Sequence, residues 1–228
     1  MNSMQFEGSR LLKYSGILAG LAALAVLGGC QFMSNSVKIV PAAYSVGKNP
    51  GDIGKSSDNN LDLEKSAAKR NHVLASFAEG CFWHTEEQYR GIPGVVATAV
   101  GYTGGSTKNP TYEEVCSHAT RHAEAVLIEF DPKKITYKKL LEKFFESHDP
   151  TTMDRQGFDV GDSYRSAIFT HSPEQKTEAE ELIAELTKSK KFSDKIVTQV
   201  IPAMPFYLAE DYHQQYIEKG NPDVCKLK

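Results

Sequence analysis

His72-Val73-Leu74-Ala75-Ser76-Phe77-Ala78-Glu79-Gly80-Cys81-Phe82-Trp83 is the stretch from which the fold is read. An apolar run over 72–78 leads to Gly80, and a segment of helical composition follows at 85–90. The spacing predicts a strand, a tight turn and a helix, with a thiol where the helix starts. Unpaired amide N–H groups and the helix dipole at that place favour a thiolate. Phe82 and Trp83, the latter the only tryptophan of the chain, set two aromatic rings beside the sulfur. Such rings suit an uncharged, methyl-bearing ligand. The same residues also fit a small cysteine buried in an aromatic core.

Outward from this stretch, strands and helices alternate. Strands are predicted over 73–78, 95–102, 123–130, 165–170 and 196–201. Helices are predicted over 82–90, 112–118, 137–147, 174–189 and 211–219. Thr136 and Ser172-Pro173 are helix-start signals. Leu140, Leu141, Phe144 and Phe145 form an apolar stripe at helical spacing. Glycines at 101–105 and 157–161 mark turns, and His148-Asp149-Pro150 reads as a helix terminator. The pattern implies an α/β (α+β) fold: one two-layer domain over 71–228, with helices on a mixed sheet, long loops and a mobile C-terminal tail.

The N-terminal part has a different character. Arg10 and Lys13 precede an apolar run over 17–27 that ends in Leu27-Gly28-Gly29-Cys30. Its length and flanks fit a secretory signal, residues 1–29. The ending resembles a bacterial lipobox, which implies lipidation at Cys30, a cell-envelope location and attachment to the membrane through that lipid only. Gln31, which is not Asp, favours the outer membrane in a Gram-negative source. A plain signal peptide or signal anchor is the alternative. Residues 30–70 read as a tether rich in Ser, Asn, Lys, Gly and Asp, with a short helix over 61–70. Net charge is −3 with scattered Lys and Arg, which gives no basic face for nucleic acid.

Several residues are candidates for chemistry. Of the four cysteines, Cys81, Cys116 and Cys225 remain once Cys30 is set aside. None has Cys-x-x-Cys spacing and no His lies at zinc-finger distance, so no metal site is expected. Glu124 opens an apolar strand, where burial raises a carboxyl pKa and makes a proton donor; a strand-end surface acid is the alternative. Tyr112 and Tyr164 offer phenols beside loops, or pack as amphipathic side chains. Asp159, between Gly157 and Gly161, reads as a turn former. Cys225 lies near the C-terminus, where a mobile thiol reaches into a site as a resolving cysteine or is simply free. Cys116 is placed in an amphipathic helix, buried and inert. His213 falls on a helix face, and His84 pairs with the thiolate or is solvated.

Taken together the motifs resemble peptide methionine sulfoxide reductases of the A type. The resemblance runs through Gly-Cys-Phe-Trp at 80–83, Gly-Tyr-Thr-Gly-Gly at 101–105 and Asn-Pro-Thr-Tyr-Glu-Glu-Val-Cys at 109–116. It continues through His-Ala-Glu-Ala-Val at 122–126, Phe-Phe-Glu-Ser-His-Asp-Pro at 144–150, Arg-Gln-Gly at 155–157, Tyr-Arg-Ser-Ala-Ile at 164–168 and His-Gln-Gln-Tyr at 213–216. It implies that Cys81 is the nucleophile, that Phe82 and Trp83 wall the substrate methyl group, and that Glu124 protonates the sulfoxide oxygen. It also implies that Tyr112 and Tyr164 hydrogen-bond that oxygen, that Asp159 helps orient the site, and that Cys225 stands at a recycling position. From its place after Gly220-Asn221-Pro222, Cys225 is expected to form a disulfide with Cys81, while Cys116, on an apolar helix face, is expected to stay reduced. The implied substrates are protein-bound or free methionine S-sulfoxide. The resemblance implies no bound cofactor and an external, thioredoxin-like dithiol as reductant.

The chain departs from the family pattern at three places. His84 and Arg121 stand where small residues or Gly are usual, and the tail lacks a Gly-rich extension with a second recycling cysteine. Two other readings compete: a cysteine hydrolase or acyltransferase using His84 or His122 as base, and a non-catalytic lipoprotein that binds through the aromatic pocket.

Overall fold

The computed structural model describes residues 60–221. The signal segment, Cys30, most of the tether, and the tail with Cys225 lie outside the described residues. In chain order the elements are α1 (Asn60–Lys69), β1 (Val73–Glu79), α2 (Phe82–Arg90), β2 (Val95–Thr103), α3 (Tyr112–Cys116), β3 (Ala123–Phe130) and α4 (Tyr137–Ser147). A short hairpin of β4 (Arg155–Gln156) and β5 (Asp159–Val160) follows, then a 3-10 turn at Asp162–Tyr164. β6 (Ser166–Thr170), α5 (Pro173–Lys188), β7 (Gln199–Pro202) and β8 (Tyr207–Leu208) complete the chain.

Six strands form one mixed sheet in the order β7-β6-β1-β3-β2-β8, in which only β6 and β7 pair in parallel. All eight residues of β3 are buried, because both faces of the sheet are covered. A strand buried on both sides reads as a nearly continuous apolar run, as this one does. Phe77, Val126 and Ile128 pack on one face against Leu140 and Phe144 of α4 and Leu182 of α5. Leu74, Ala125 and Leu127 pack on the other against Ala67 of α1 and Phe206. Each fully buried Leu or Phe contributes about 1.5–3 kcal/mol.

The helix-start signals act as the sequence implies. Thr136 accepts a hydrogen bond from the Lys139 N–H, and Ser172 from the Gln175 N–H. Thr111 and Glu114 complete a capping box at α3. His148 closes α4, with Nδ1 2.8 Å from the Phe144 carbonyl and Nε2 2.7 Å from Ser166 Oγ. At the end of the tether stretch, α1 docks on the domain. Arg70 forms a two-pronged pair with the buried Glu129, at 2.9 and 2.7 Å.

Two sequence expectations are corrected. Residues 211–220 form consecutive turns, not a helix. The stretch is held by long-range bonds instead of its own backbone ladder. The Gln214 amide pairs with both the N–H and the C=O of Val100, each at 2.9 Å, and the Gln215 N–H donates to Glu86 at 2.6 Å. The left-handed φ of 51° at Gln215 interrupts any helical run. The second correction concerns α3, which ends at Cys116 and not at 118. Cys116 is therefore a half-buried helix-end residue, and it is disulfide-bonded, not inert and reduced.

Buried acids make stability pH-dependent. Burial pushes Glu79 and Glu86 up to about 7 and Glu124 up to about 8. These groups hold protons that the unfolded chain has released above its ordinary carboxyl pKa, so their stabilising contribution is lost as pH rises through 7 to 8. Below about 6.5 the buried His148 and His213, lowered to about 4 and about 3, work in the opposite direction. The window free of that opposition is pH 6.5–8.5. The unfolding free energy should fall across it by about 1 kcal/mol per buried acid, and thermal midpoints should fall with it. Glu79→Gln should flatten the slope; a midpoint that rises with pH here would contradict the assignment.

Candidate active site

The Cys81 sulfur sits where β1 turns into α2. Gly80 makes the turn at φ 97°, and a Cβ there would lie 2.7 Å from Gln156 Cβ. Only glycine fits both the left-handed backbone and the approach of the β4–β5 hairpin. Cys81 is the N-cap of α2, with φ −61° and ψ 119°, and its side chain makes no capping hydrogen bond. It is of intermediate exposure and takes part in no disulfide. The first free N–H of the helix, that of Phe82, instead donates to Glu124 Oε2 at 3.1 Å.

Glu124 reaches this point because β3 pairs with β2 in a register that sets it opposite Tyr102. It is 2% exposed. Burial pushes its pKa up to about 8; the Phe82 N–H opposes this and the nearby Asp159 adds to it. At neutral pH it is therefore mostly a carboxylic acid. The surface-acid alternative does not hold.

Two phenols complete the group. Tyr112 opens α3 and Tyr164 ends the 3-10 turn. Burial raises both phenol pKa values, with Glu124 the next largest cause, and the charges of Cys81 and Asp159 are felt at both. Asp159 lies on β5 beside Gln156, its pairing partner, rather than at a turn apex. Five sequence-predicted residues, Cys81, Glu124, Tyr112, Tyr164 and Asp159, thus share one electrostatic neighbourhood. Cys225 and Cys30 lie outside the described residues.

The aromatic wall is more extensive than the sequence implied. Phe82 is 1% exposed and packs with Tyr102 and Val115, while Trp83 and Tyr112 lean on that cluster from its edge. Trp83 donates from Nε1 to His213 Nδ1 at 2.8 Å and stacks on Tyr216, with centroids 3.9 Å apart and planes 9° apart. Because Nδ1 accepts, the neutral ring carries its proton on Nε2. Burial lowers the His213 pKa to about 3, which keeps the ring neutral. Glu210 accepts from the Tyr102 hydroxyl at 2.9 Å and the Tyr112 N–H at 3.0 Å. Sequence reasoning missed the parts played by His213, Tyr216 and Glu210. The cluster of Tyr212, His213 and Tyr216 in five residues was the available signal.

The hydrolase reading loses one of its bases. Both nitrogens of His122 are engaged with backbone: Nδ1 accepts from the Gly105 N–H at 3.1 Å, and Nε2 faces the Thr107 carbonyl at 2.7 Å. Among the described residues no group of three or more metal-ligating side chains converges.

A family model for peptide methionine sulfoxide reductase matches residues 73–228. The chain is 59% identical over 145 residues to peptide methionine sulfoxide reductase MsrA of Methanosarcina mazei, covering 64% of this chain and 69% of that protein. It is 49% identical over 152 residues to the protein of the same name from Geobacter sulfurreducens, covering 67% and 94%. The solved structure of methionine sulfoxide reductase A of Corynebacterium diphtheriae superposes with a TM-score of 0.65 at 34% identity, covering 81% of this chain and 87% of that one. The chain belongs to the peptide methionine sulfoxide reductase family, A type, and is a thiol-dependent oxidoreductase that reduces methionine sulfoxide.

Proposed function

We propose that Cys81 is the nucleophile and Glu124 the proton donor in reduction of methionine S-sulfoxide, free or in proteins. The observation that carries this reading is the buried, protonated Glu124 held on the N–H next to the thiol. A sulfoxide oxygen bears partial negative charge and accepts hydrogen bonds. Tyr112 and Tyr164, whose raised pKa values keep them protonated, donate to it. Asp159 sets the local charge. Proton transfer from Glu124 makes the sulfur electrophilic, and the Cys81 thiolate attacks. The sulfoxide gains two electrons and leaves as the thioether; Cys81 loses two and becomes a sulfenic acid that keeps the oxygen. Trp83, fixed by His213 and Tyr216, and the edge of Phe82 enclose the substrate methyl group.

Recycling needs a second thiol to displace water from the sulfenic acid and form a disulfide, which an external thioredoxin-like dithiol then reduces by exchange. The sequence nominates Cys225 for this step. The disulfide at Cys116, with Cys81 outside any disulfide, supports a further exchange that clears Cys81 and passes oxidation to Cys116. The Leu27-Gly28-Gly29-Cys30 ending supports an envelope enzyme anchored through lipid on Cys30, working on oxidised envelope proteins. The test is turnover with dithiothreitol on the separated S and R epimers of methionine sulfoxide, beside an ester substrate. Turnover confined to the S epimer is expected. Ester cleavage without sulfoxide reduction would overturn the assignment.

A further inference from the structure

The two arms of the site are joined by residues that the chemistry above does not use. Tyr112 and Glu124 bracket the segment 117–122, and Asp159 and Tyr164 bracket the segment 160–163. His118 and Arg121, on the first segment, both turn to Asp162 on the second. His118 Nδ1 lies 3.5 Å from Asp162 Oδ1 and 3.3 Å from Ser163 Oγ. Arg121 Nε lies 4.0 Å from Asp162 Oδ2. The Arg121 side chain is 80% exposed, so its ion pair holds little by itself.

The His118 ring does more. It lies directly on Gly161: a Cβ there would come within 2.1 Å of the imidazole. Gly161 has a φ of 140°, so any side chain would be both strained and obstructed. The ring also meets Tyr164 edge-on, with centroids 6.4 Å apart. Asp162 Oδ1 is buried and has no hydrogen-bond partner, which leaves the imidazole as the polar group facing it.

The backbone gives the second observation. His118 and Arg121 both have φ 59°, a conformation that disfavours side chains by about 1–2 kcal/mol per residue. Residues kept at such angles point to a constraint imposed by what their side chains touch. Glycine would serve the chain path at both positions; two long polar side chains stand there and converge on one carboxylate.

We propose that His118 is a positioning residue for sulfoxide reduction. Its ring, seated on Gly161, hydrogen-bonded to Ser163 and facing Asp162, clamps the Asp159–Tyr164 arm against the arm that carries Tyr112 and Glu124. Arg121 closes the outer side of the clamp. The inference rests on the roles proposed above for Tyr164 and Asp159. Without the ring, the Tyr164 phenol loses its fixed approach to the substrate oxygen, and small displacements of such groups are costly in rate.

The test separates this role from a merely structural one. Single-turnover release of methionine and thermal midpoints are measured for wild type, His118→Gly, His118→Asn, Asp162→Asn and the His118→Gly/Asp162→Asn double variant. His118→Gly relaxes the backbone, so its midpoint should equal or exceed that of wild type, while its rate falls roughly tenfold or more. Asn tolerates the left-handed φ and keeps a short donor, so His118→Asn should recover part of the rate. The double variant should be no slower than the slower single one, because both break the same link. A His118→Gly rate within about twofold of wild type, or fully additive losses, would overturn the clamp. A loss of rate that only follows a loss of midpoint would reduce it to a stabilising contact. If wild type itself releases no methionine, the proposed function fails and the clamp falls with it; active wild type with unaffected variants sinks the clamp alone.

Discussion

Cys81→Ser is expected to abolish sulfoxide reduction while leaving the fold intact. A hydroxyl at neutral pH is a far weaker nucleophile than a thiolate and does not give up two electrons to a sulfoxide. Serine is itself a favoured N-cap, so the helix start should not suffer. The measurement is methionine released per enzyme from excess S-sulfoxide with dithiothreitol, beside a thermal melt. Activity within about tenfold of wild type, equivalent to about 1.4 kcal/mol, would exclude Cys81 as the nucleophile.

Glu124→Gln should have the next largest effect. Glutamine keeps the shape and can accept from the Phe82 N–H as Glu124 does at 3.1 Å, but it has no carboxylic proton to give. General acids of this kind contribute roughly 10²–10⁴-fold, and a loss in that range is expected in the single-turnover rate. The pH profile tells the same story with a definite sign. Glu124, pushed up to about 8 by burial, holds its proton below that pH and loses it above. The wild-type rate of the reduction step should therefore fall above about pH 8, and that alkaline limb should be missing in Glu124→Gln. A single-turnover rate of the variant equal to that of wild type at acidic and neutral pH would remove Glu124 from the proton-donor role.

The parts of this molecule that could be read from sequence are those held by local signals. β3 announces itself as an apolar run because both of its faces are buried. α4 and α5 announce themselves by Thr136 and Ser172 caps, each of which accepts from the N–H three residues on. The turn at Gly80 and the thiol after it follow from strand, glycine and helix in succession. What sequence spacing misjudged is held by distant partners. Residues 211–220 have helix-like spacing, yet their hydrogen bonds go to Glu86 and Val100, more than a hundred positions earlier. β4 and β5 have two residues each, too few to show a period, so Asp159 was read as a turn former although it faces the site from a strand. Trp83 was legible as a wall, but not the His213 bond and Tyr216 stack that fix its plane. Cys116 does lie in α3, but helical spacing overruns the end of that helix by two residues, so Cys116 is its half-buried last residue.

The candidate site shows the same division. Cys81 could be placed by its own neighbours in sequence. Its relation to Glu124 depends on the β2–β3 register that sets Glu124 opposite Tyr102, and no single segment encodes that. The departures at His84 and Arg121 also divide. Arg121 finds a partner in Asp162 across the site; His84 lies on α2 at intermediate exposure, and nothing further follows from its position.

The central claim is that the Cys81 sulfur takes the oxygen from the substrate. The most direct measurement mixes fully reduced enzyme with one equivalent of methionine S-sulfoxide, without reductant, and quenches with a thiol-alkylating reagent at successive times. Mass spectrometry of the peptides then reports the state of each cysteine beside the methionine released. The account predicts one methionine per enzyme, released in step with the loss of alkylatable Cys81, which passes first to a sulfenic acid and then to a disulfide. Methionine released while Cys81 remains fully alkylatable at all early times would contradict it.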